Sequence, residues 1–94
     1  MSVGLIIINL RFPGCRSLKE KRSRLKPLLI RLRKEFNISA AEVDYNDTWQ
    51  KSIIACSTIS NNRNFTQKRL QKIVPWIEAN CPNICVEDES IELL

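Results

Sequence analysis

Basic residues crowd into one stretch of this 94-residue chain. Of its fifteen Lys and Arg residues, nine lie between positions 16 and 34, where Glu20 is the single carboxylate. They are Arg16, Lys19, Lys21, Arg22, Arg24, Lys26, Arg31, Arg33 and Lys34. Ammonium and guanidinium groups at this density can neutralise a phosphate backbone, and counterion release then supplies the affinity. The stretch therefore predicts a surface for polyanions, with RNA as the favoured partner.

A second basic segment and then an acidic one follow. The last positive charges belong to Lys68, Arg69 and Lys72, and the acidic residues after them are Glu78, Glu87, Asp88, Glu89 and Glu92. We predict nucleic-acid contacts from both basic segments, at Arg16, Lys19, Arg22, Lys26, Arg33, Lys68, Arg69 and Lys72. The competing interpretation is that a soluble helix needs a charged outer face in any case. Nine cations against one carboxylate exceed that need.

The stretch Pro13-Gly14-Cys15-Arg16-Ser17 forms a predicted turn ahead of a helix. A glycine at such a place lets the backbone approach a ligand closely, and the free amides of a first helical turn attract anions. We therefore predict that Gly14, Cys15, Arg16 and Ser17 bind a phosphate, a sulfate or an RNA backbone oxygen. The alternative is that Gly14 only makes the turn and Ser17 only caps the helix.

Candidate metal ligands are few. The four cysteines stand at positions 15, 56, 81 and 85, and the chain has no histidine. Structural zinc sites draw on close cysteine pairs, and only Cys81 and Cys85 are close. We expect four reduced thiols rather than a zinc site or a disulfide. Glu42 and Asp44 share one face of a predicted strand, and we interpret them as solvent-facing carboxylates.

The residue types that catalysis needs are also sparse. No Ser or Cys nucleophile has a recognisable base beside it, and no glycine-rich nucleotide loop is present. The sequence therefore predicts a small non-enzymatic binding protein that uses neither a cofactor nor a metal.

The hydrophobic pattern predicts six elements. They are a strand over 3–12, a helix over 18–36, strands over 38–45 and from 49 or 51 to 60, a helix with its N-cap at Asn64, and a strand over 84–93. Ser17 and Glu20 form a capping box for the first helix, and Pro27 falls opposite its leucine stripe. The order β-α-β-β-α-β predicts one ferredoxin-like α+β domain over residues 1–94, with a four-stranded antiparallel sheet and two helices on one face.

Alternation along the first strand predicts one covered and one open face of the sheet. Ile6, Ile8, Leu10 and Phe12 are expected to meet the helices, and Val3, Leu5 and Ile7 to lie on the other face. Because exposed apolar patches mark partner surfaces, we predict an interface at Val3, Leu5, Ile7 and Trp49. A homodimer through this face, with no nucleic-acid role, is the alternative function, unless the C-terminal segment shields the patch. Base stacking on the sheet is not expected, because Phe12 is the only clear aromatic of the first and third strands.

No segment resembles a signal peptide, and the apolar run over 3–8 is far shorter than the ~20 residues of a membrane span. We therefore expect a cytoplasmic protein with no membrane partner. Trp49 is interpreted as an anchor of its turn on the core, with a partner or base-stacking role as the alternative. Trp76 is expected either to pack on the first helix or to face a partner.

Two motif blocks resemble the YlxP-like bacterial proteins, a family of unknown function. The first is Pro13-Gly14-Cys15 followed by Ser17-Leu18-Lys19-Glu20-Lys21-Arg22, and the second is Ala41-Glu42-Val43-Asp44 with Asp47 and Trp49-Gln50. The resemblance implies a ferredoxin-like fold and, because genes of the family often lie near translation and ribosome-assembly genes, a role with RNA or the ribosome. It also implies that Trp49 and Gln50 matter. Tyr45 stands where relatives often have His, so histidine chemistry does not transfer.

Overall fold

The computed structural model describes all 94 residues and contains four strands and three helices. In chain order these are β1 (Ser2–Arg11), α1 (Leu18–Phe36), β2 (Ser39–Asp44), β3 (Lys51–Ser60), α2 (Arg63–Gln71), α3 (Ile73–Asn80) and β4 (Cys85–Leu93). The strands form one antiparallel sheet in the order β2-β3-β1-β4, which puts β2 and β4 at its edges. The ferredoxin-like α+β arrangement predicted from the sequence is confirmed.

The helix α1 begins at its predicted N-cap, Ser17, but the second half of the predicted capping box differs, because the Glu20 carboxylate accepts from the Arg16 amide instead of the Ser17 amide. The Ser17 hydroxyl accepts a hydrogen bond from the Glu20 amide at 3.0 Å and so caps the first turn. Leu25, Leu28 and Leu32 are buried along one stripe, and Pro27 lies exposed on the opposite side of an unbroken helix. The proline is tolerated because its ring points to water, where the helix can bend around the core.

The second helical segment differs from its prediction at both its start and its middle. Its N-cap is Asn62, whose side chain accepts from the Phe65 amide at 3.0 Å, so the prediction of Asn64 was wrong. The segment also divides into α2 and α3 at Lys72. Pro75 has no amide hydrogen to give to the Gln71 carbonyl, which removes one helical hydrogen bond at this point.

The core lies between the helices and one face of the sheet. Ile6, Ile8, Leu10 and Phe12 of the β1 segment are at most 2% exposed, which confirms that this set meets the helices. They pack with Leu25, Leu28, Leu32, Ile54, Leu70, Ile73 and Ile77. Burying each such side chain contributes about 1.5–3 kcal/mol relative to leaving it in water. The opposite face of the sheet carries no helix, and that placement leaves both the outer helical surface and the open sheet face accessible.

Gly4 of β1 is expected to resist substitution because α2 packs directly on its Cα. A Cβ added there would lie 2.6 Å from Thr66 Cγ2 and 2.7 Å from Leu70 Cδ1. We expect Gly4→Ala to lower the free energy of unfolding by about 1–3 kcal/mol, measured by urea denaturation. Adding Thr66→Ser, which removes the nearest methyl, should recover part of that loss. A Gly4→Ala protein as stable as the parent would contradict this packing.

Candidate nucleic-acid interface

The basic residues of the helices are almost free of carboxylate partners. Three ion pairs occur in the chain: Arg11–Glu87 at 3.4 Å, Lys21–Glu42 at 2.9 Å and Arg24–Glu20 at 2.8 Å. The eight residues predicted to contact nucleic acid all lie outside these pairs, with no carboxylate oxygen within 4.0 Å. Their positive charge is therefore not neutralised within the molecule.

These cations form two groups rather than one surface. Lys19, Arg22, Lys26 and Arg33, which we call the α1 stripe, lie along one flank of α1, because residues three, four and seven apart share a face. The Arg33 guanidinium donates to the Ala40 carbonyl of β2 at 2.7 Å, so this flank faces the β2 edge of the sheet. All four side chains are exposed.

Lys68, Arg69 and Lys72, the α2 cluster, lie across α1 from that stripe. They line a cleft of about 520 Å³ together with Glu35 of α1. On the same side of α1, the Arg31 guanidinium lies 4.8 Å from the Trp76 ring centroid. The body of α1 therefore separates the two cationic groups. Arg16, at the turn before α1, is exposed and belongs to neither group.

Arg69 is held in place by its neighbours. Its guanidinium lies 4.7 Å from the centroid of the Phe65 ring, and its Nη1 donates to the Thr58 hydroxyl. Lys68 and Lys72 are exposed. Within the α2 cluster, these two lysines are the side chains available to phosphate, while Arg69 fixes the aromatic ring.

Lys21 lies in the interior rather than on the cationic surface. It is 1% exposed, and its ammonium pairs with the Glu42 carboxylate at 2.9 Å and donates to the Tyr45 carbonyl. The Ser52 hydroxyl donates to the same Glu42 oxygen. The interpretation of Glu42 as a solvent-facing carboxylate was wrong, because the carboxylate is only 16% exposed and balances a buried charge.

The predicted anion-binding turn already holds a carboxylate. The Arg16 amide donates to Glu20 Oε2 at 2.9 Å, and the Ser17 hydroxyl accepts from the Glu20 amide. The backbone hydrogen bond from Arg16, helped by the Arg24 charge, holds the pKa of Glu20 below its ordinary 4.5. Gly14 has φ +71° and open space around it, so the backbone angle requires glycine there. Anion binding at this turn stays a prediction, and an anion would have to displace Glu20.

Gln50 joins the β2–β3 connection to that turn. Its side-chain amide donates to the Cys15 backbone carbonyl at 3.2 Å, and its backbone carbonyl accepts from the Phe12 amide at 2.9 Å. With the Lys21–Glu42 pair, this contact brings the two motif blocks together at one end of the sheet. Trp49 beside it is 50% exposed and outside the core, so its interpretation as a core anchor was wrong.

The predicted interface residues divide between the two ends of β1. Val3, Leu5 and Ile7 lie half-buried on the open sheet face. The Leu94 amide donates to the Val3 carbonyl at 2.8 Å, so the last residue continues the pairing of β4 with β1 instead of crossing that face. Trp49 lies near Phe12, about 30 Å along the strand from Val3. Any surface that uses Val3 is therefore distant from Trp49.

The cysteine side chains are reduced and mostly removed from solvent. All four cysteines are free thiols, with Cys15 and Cys56 buried and Cys81 and Cys85 half-buried. Burial raises the pKa of the Cys56 thiol to about 12 and also raises that of Cys81. Because the thiolate is the reactive form, these two thiols are poor nucleophiles near neutral pH.

None of the helices has both the length and the apolar character that crossing a bilayer requires.

The fold and the family of the chain are both defined by comparison with known proteins. The ferredoxin-like fold is shared with a de novo designed protein, Foldit4, at a TM-score of 0.54 and 10% identity, covering 100% of this chain and 97% of that one. That likeness concerns the fold alone. Residues 3–89 match the family model described as protein of unknown function (DUF503), and the chain belongs to this family. The uncharacterized protein YlxP of Bacillus subtilis (strain 168) is 41% identical over 63 residues, which span 67% of this chain and 68% of that protein. The YlxP-like resemblance is confirmed.

Proposed function

We propose that this protein is a non-enzymatic RNA-binding protein of the cytoplasm, associated with RNA or the ribosome through the α1 stripe. The observation that carries the proposal is the absence of any carboxylate within 4.0 Å of these four exposed cations. Cations that only solubilise a helix are usually interspersed with carboxylates. Neither of the two carboxylates of α1, Glu20 and Glu35, lies within that distance of the four cations.

The distribution of acidic residues supports the same function. Glu87, Asp88, Glu89 and Glu92 all lie on β4, the sheet edge opposite β2. The α1 stripe lies on the β2 side, as the Arg33 contact with Ala40 places it. The stripe extends about 21 Å from Lys19 to Arg33, since each helical residue rises 1.5 Å. A polyanion can therefore follow the stripe without meeting β4. On the β2 side the Glu42 carboxylate is paired with Lys21, which leaves Asp44 as the carboxylate of that strand without an ion pair.

Binding of this kind is expected to weaken steeply as salt is added. Each phosphate neutralised on a single strand contributes about 0.7 to the slope of log affinity against log salt, so four contacts predict a slope near −3. Fluorescence anisotropy with labelled single- and double-stranded RNA of mixed sequence, over a salt series, measures this slope. Polyglutamate, an anion without phosphate, is the control for unspecific charge attraction. Absence of RNA binding even at low salt would contradict the proposal.

A second candidate function, homodimerisation through the open sheet face, is favoured by the shape of that face. Leu5 and Ile7 form a ridge on β1, next to a shallow hollow of about 240 Å³ bordered by small residues that include Ala41, Ala55 and Ser57. A ridge and a hollow side by side are self-complementary under two-fold symmetry, because the ridge of each copy then fills the hollow of the other.

Sedimentation measures this association directly. We expect Ile7→Lys to abolish any concentration-dependent dimer, because it buries a charge in the contact. Ile30→Lys, the same change on the exposed outer side of α1, is the matched control and should leave association unchanged. A parent protein that sediments as a monomer at every concentration would exclude this function.

A further inference from the structure

An aromatic side chain stands on the protein surface at the start of α2. Phe65 is 53% exposed. Its backbone is held in place, because its amide donates to the Asn62 side chain that caps the helix. Because about half of its surface stays in water, the hydrophobic effect accounts for only part of the placement of this ring. A planar ligand group can stack on an aromatic ring that is exposed in this way.

Phe65 and Lys68 form the wall between two clefts. One cleft, of about 470 Å³, is bordered by Asn61, Asn62 and Asn64, and the other, of about 520 Å³, is the cleft of the α2 cluster. Both clefts are open to solvent rather than enclosed, so a planar group can enter from either side. The ring is therefore accessible from hollows large enough for a planar group.

Arg69 makes the ring a rigid platform. Its guanidinium lies 4.7 Å from the Phe65 centroid, and its bond to Thr58, which is 5% exposed, ties it to β3. One side of the ring is thus occupied by a positively charged plane. The other side is left for a ligand.

The groups around the ring select the chemistry of that ligand. Asn61 and Asn64 present exposed amides, which donate and accept hydrogen bonds as the edges of nucleobases do. Lys68 and Lys72 supply exposed ammonium groups for phosphates, opposed in the clefts by one carboxylate, that of Glu35. An apolar peptide would leave these amides and cations without partners, whereas a nucleotide satisfies each of them.

We propose that Phe65 is the stacking platform of a site for an unpaired nucleobase of single-stranded RNA, with Asn61 and Asn64 at the base edge and Lys68 and Lys72 at the flanking phosphates. This inference rests on the proposed RNA-binding function. It adds a second contact region and a preference for single-stranded over duplex RNA. A base that is paired in a duplex has no free face to stack on the ring.

The test compares single-stranded and duplex RNA of one sequence by fluorescence anisotropy at fixed salt. We expect Phe65→Leu, which keeps an apolar side chain and removes the ring, to weaken single-strand binding about tenfold, since base–aromatic stacking has that magnitude. Duplex binding and the slope against salt should not change. Phe65→Trp should restore single-strand affinity. Gln67→Ala, at an exposed position of the same helix, is the control, and thermal unfolding confirms that each variant is folded.

The possible failures are distinguishable. If Phe65→Leu binds both RNAs as the parent does, the stacking site is excluded, while salt-dependent binding through the α1 stripe stands. If the parent binds neither RNA at low salt, the proposed function fails and the stacking site fails with it.

Discussion

Replacing Glu42 by glutamine is expected to lower the free energy of unfolding by about 3–5 kcal/mol, the usual effect of removing one partner of a buried ion pair. Lys21 is 1% exposed, so its ammonium has no access to water once the carboxylate is gone. The Tyr45 carbonyl and the amide oxygen of the introduced glutamine would remain as acceptors, and neutral carbonyl groups compensate a buried charge only in part. For a domain of this size the loss corresponds to more than about 10 °C in melting temperature.

Urea denaturation of a double-mutant cycle measures this effect. Lys21→Met combined with Glu42→Gln should be more stable than Glu42→Gln alone, because the double variant leaves no unpaired charge. The matched control is Glu87→Gln, the same change in the ion pair that Glu87 forms with Arg11. Both side chains of that pair are 47% exposed. It should change stability by no more than about 1 kcal/mol. Equal losses for Glu42→Gln and Glu87→Gln would show that burial of the Lys21 pair has no energetic importance.

Reversing the charges of Lys19, Lys26 and Arg33 to glutamate is expected to remove most of the RNA binding. Three phosphate contacts account for about 2 units of the slope of log affinity against log salt, and their loss weakens binding on the order of 100-fold at moderate salt. Because all three side chains are exposed, the fold should persist. Anisotropy titration at several salt concentrations separates the loss of contacts from a loss of folded protein, which circular dichroism checks.

A matched triple variant controls for net charge. Lys34, Lys51 and Arg63 are also exposed, have no carboxylate within 4.0 Å and lie outside both the α1 stripe and the α2 cluster. Each reversal changes the charge by two, so either triple takes the net charge from +5 to −1. RNA binding that falls equally in the two triples would show that overall charge matters and that the α1 stripe does not.

Local sequence patterns predicted the fold because each depended on neighbouring residues. The alternation of β1 separated the core-facing Ile6 and Ile8 from Leu5 and Ile7, and the capping box of Ser17 and Glu20 placed the start of α1. These features follow from strand pleating and from the free amides of a helix end. The division of the second helical segment at Lys72 was not predicted. It follows from Pro75, which has no amide hydrogen to donate to the carbonyl four residues before it.

The site was harder to predict because its contacts join residues that are distant in sequence. Lys21 bonds Glu42 and Tyr45, and no local pattern identifies such partners. One signal was available, since Lys21 lies four residues before the buried Leu25 and therefore on the core side of α1. Phe65 was not predicted because an N-cap at Asn64 places it in the first turn of a helix, where the sequence gives no sign that its ring is exposed.

The separation of the α1 stripe from the acidic strand β4 has a kinetic consequence. The four cations of the α1 stripe on the β2 side and the four carboxylates of β4 on the opposite edge add a component to the electric dipole that is directed across the sheet, which Asp44 of β2 and the α2 cluster reduce. The field of a polyanion exerts a torque on such a dipole before any atoms touch, and it turns the β2 side forward during the approach. A larger fraction of diffusional encounters then begins in a productive orientation, so the dipole acts on the association rate constant, and added salt should reduce this gain by shortening the range of the field.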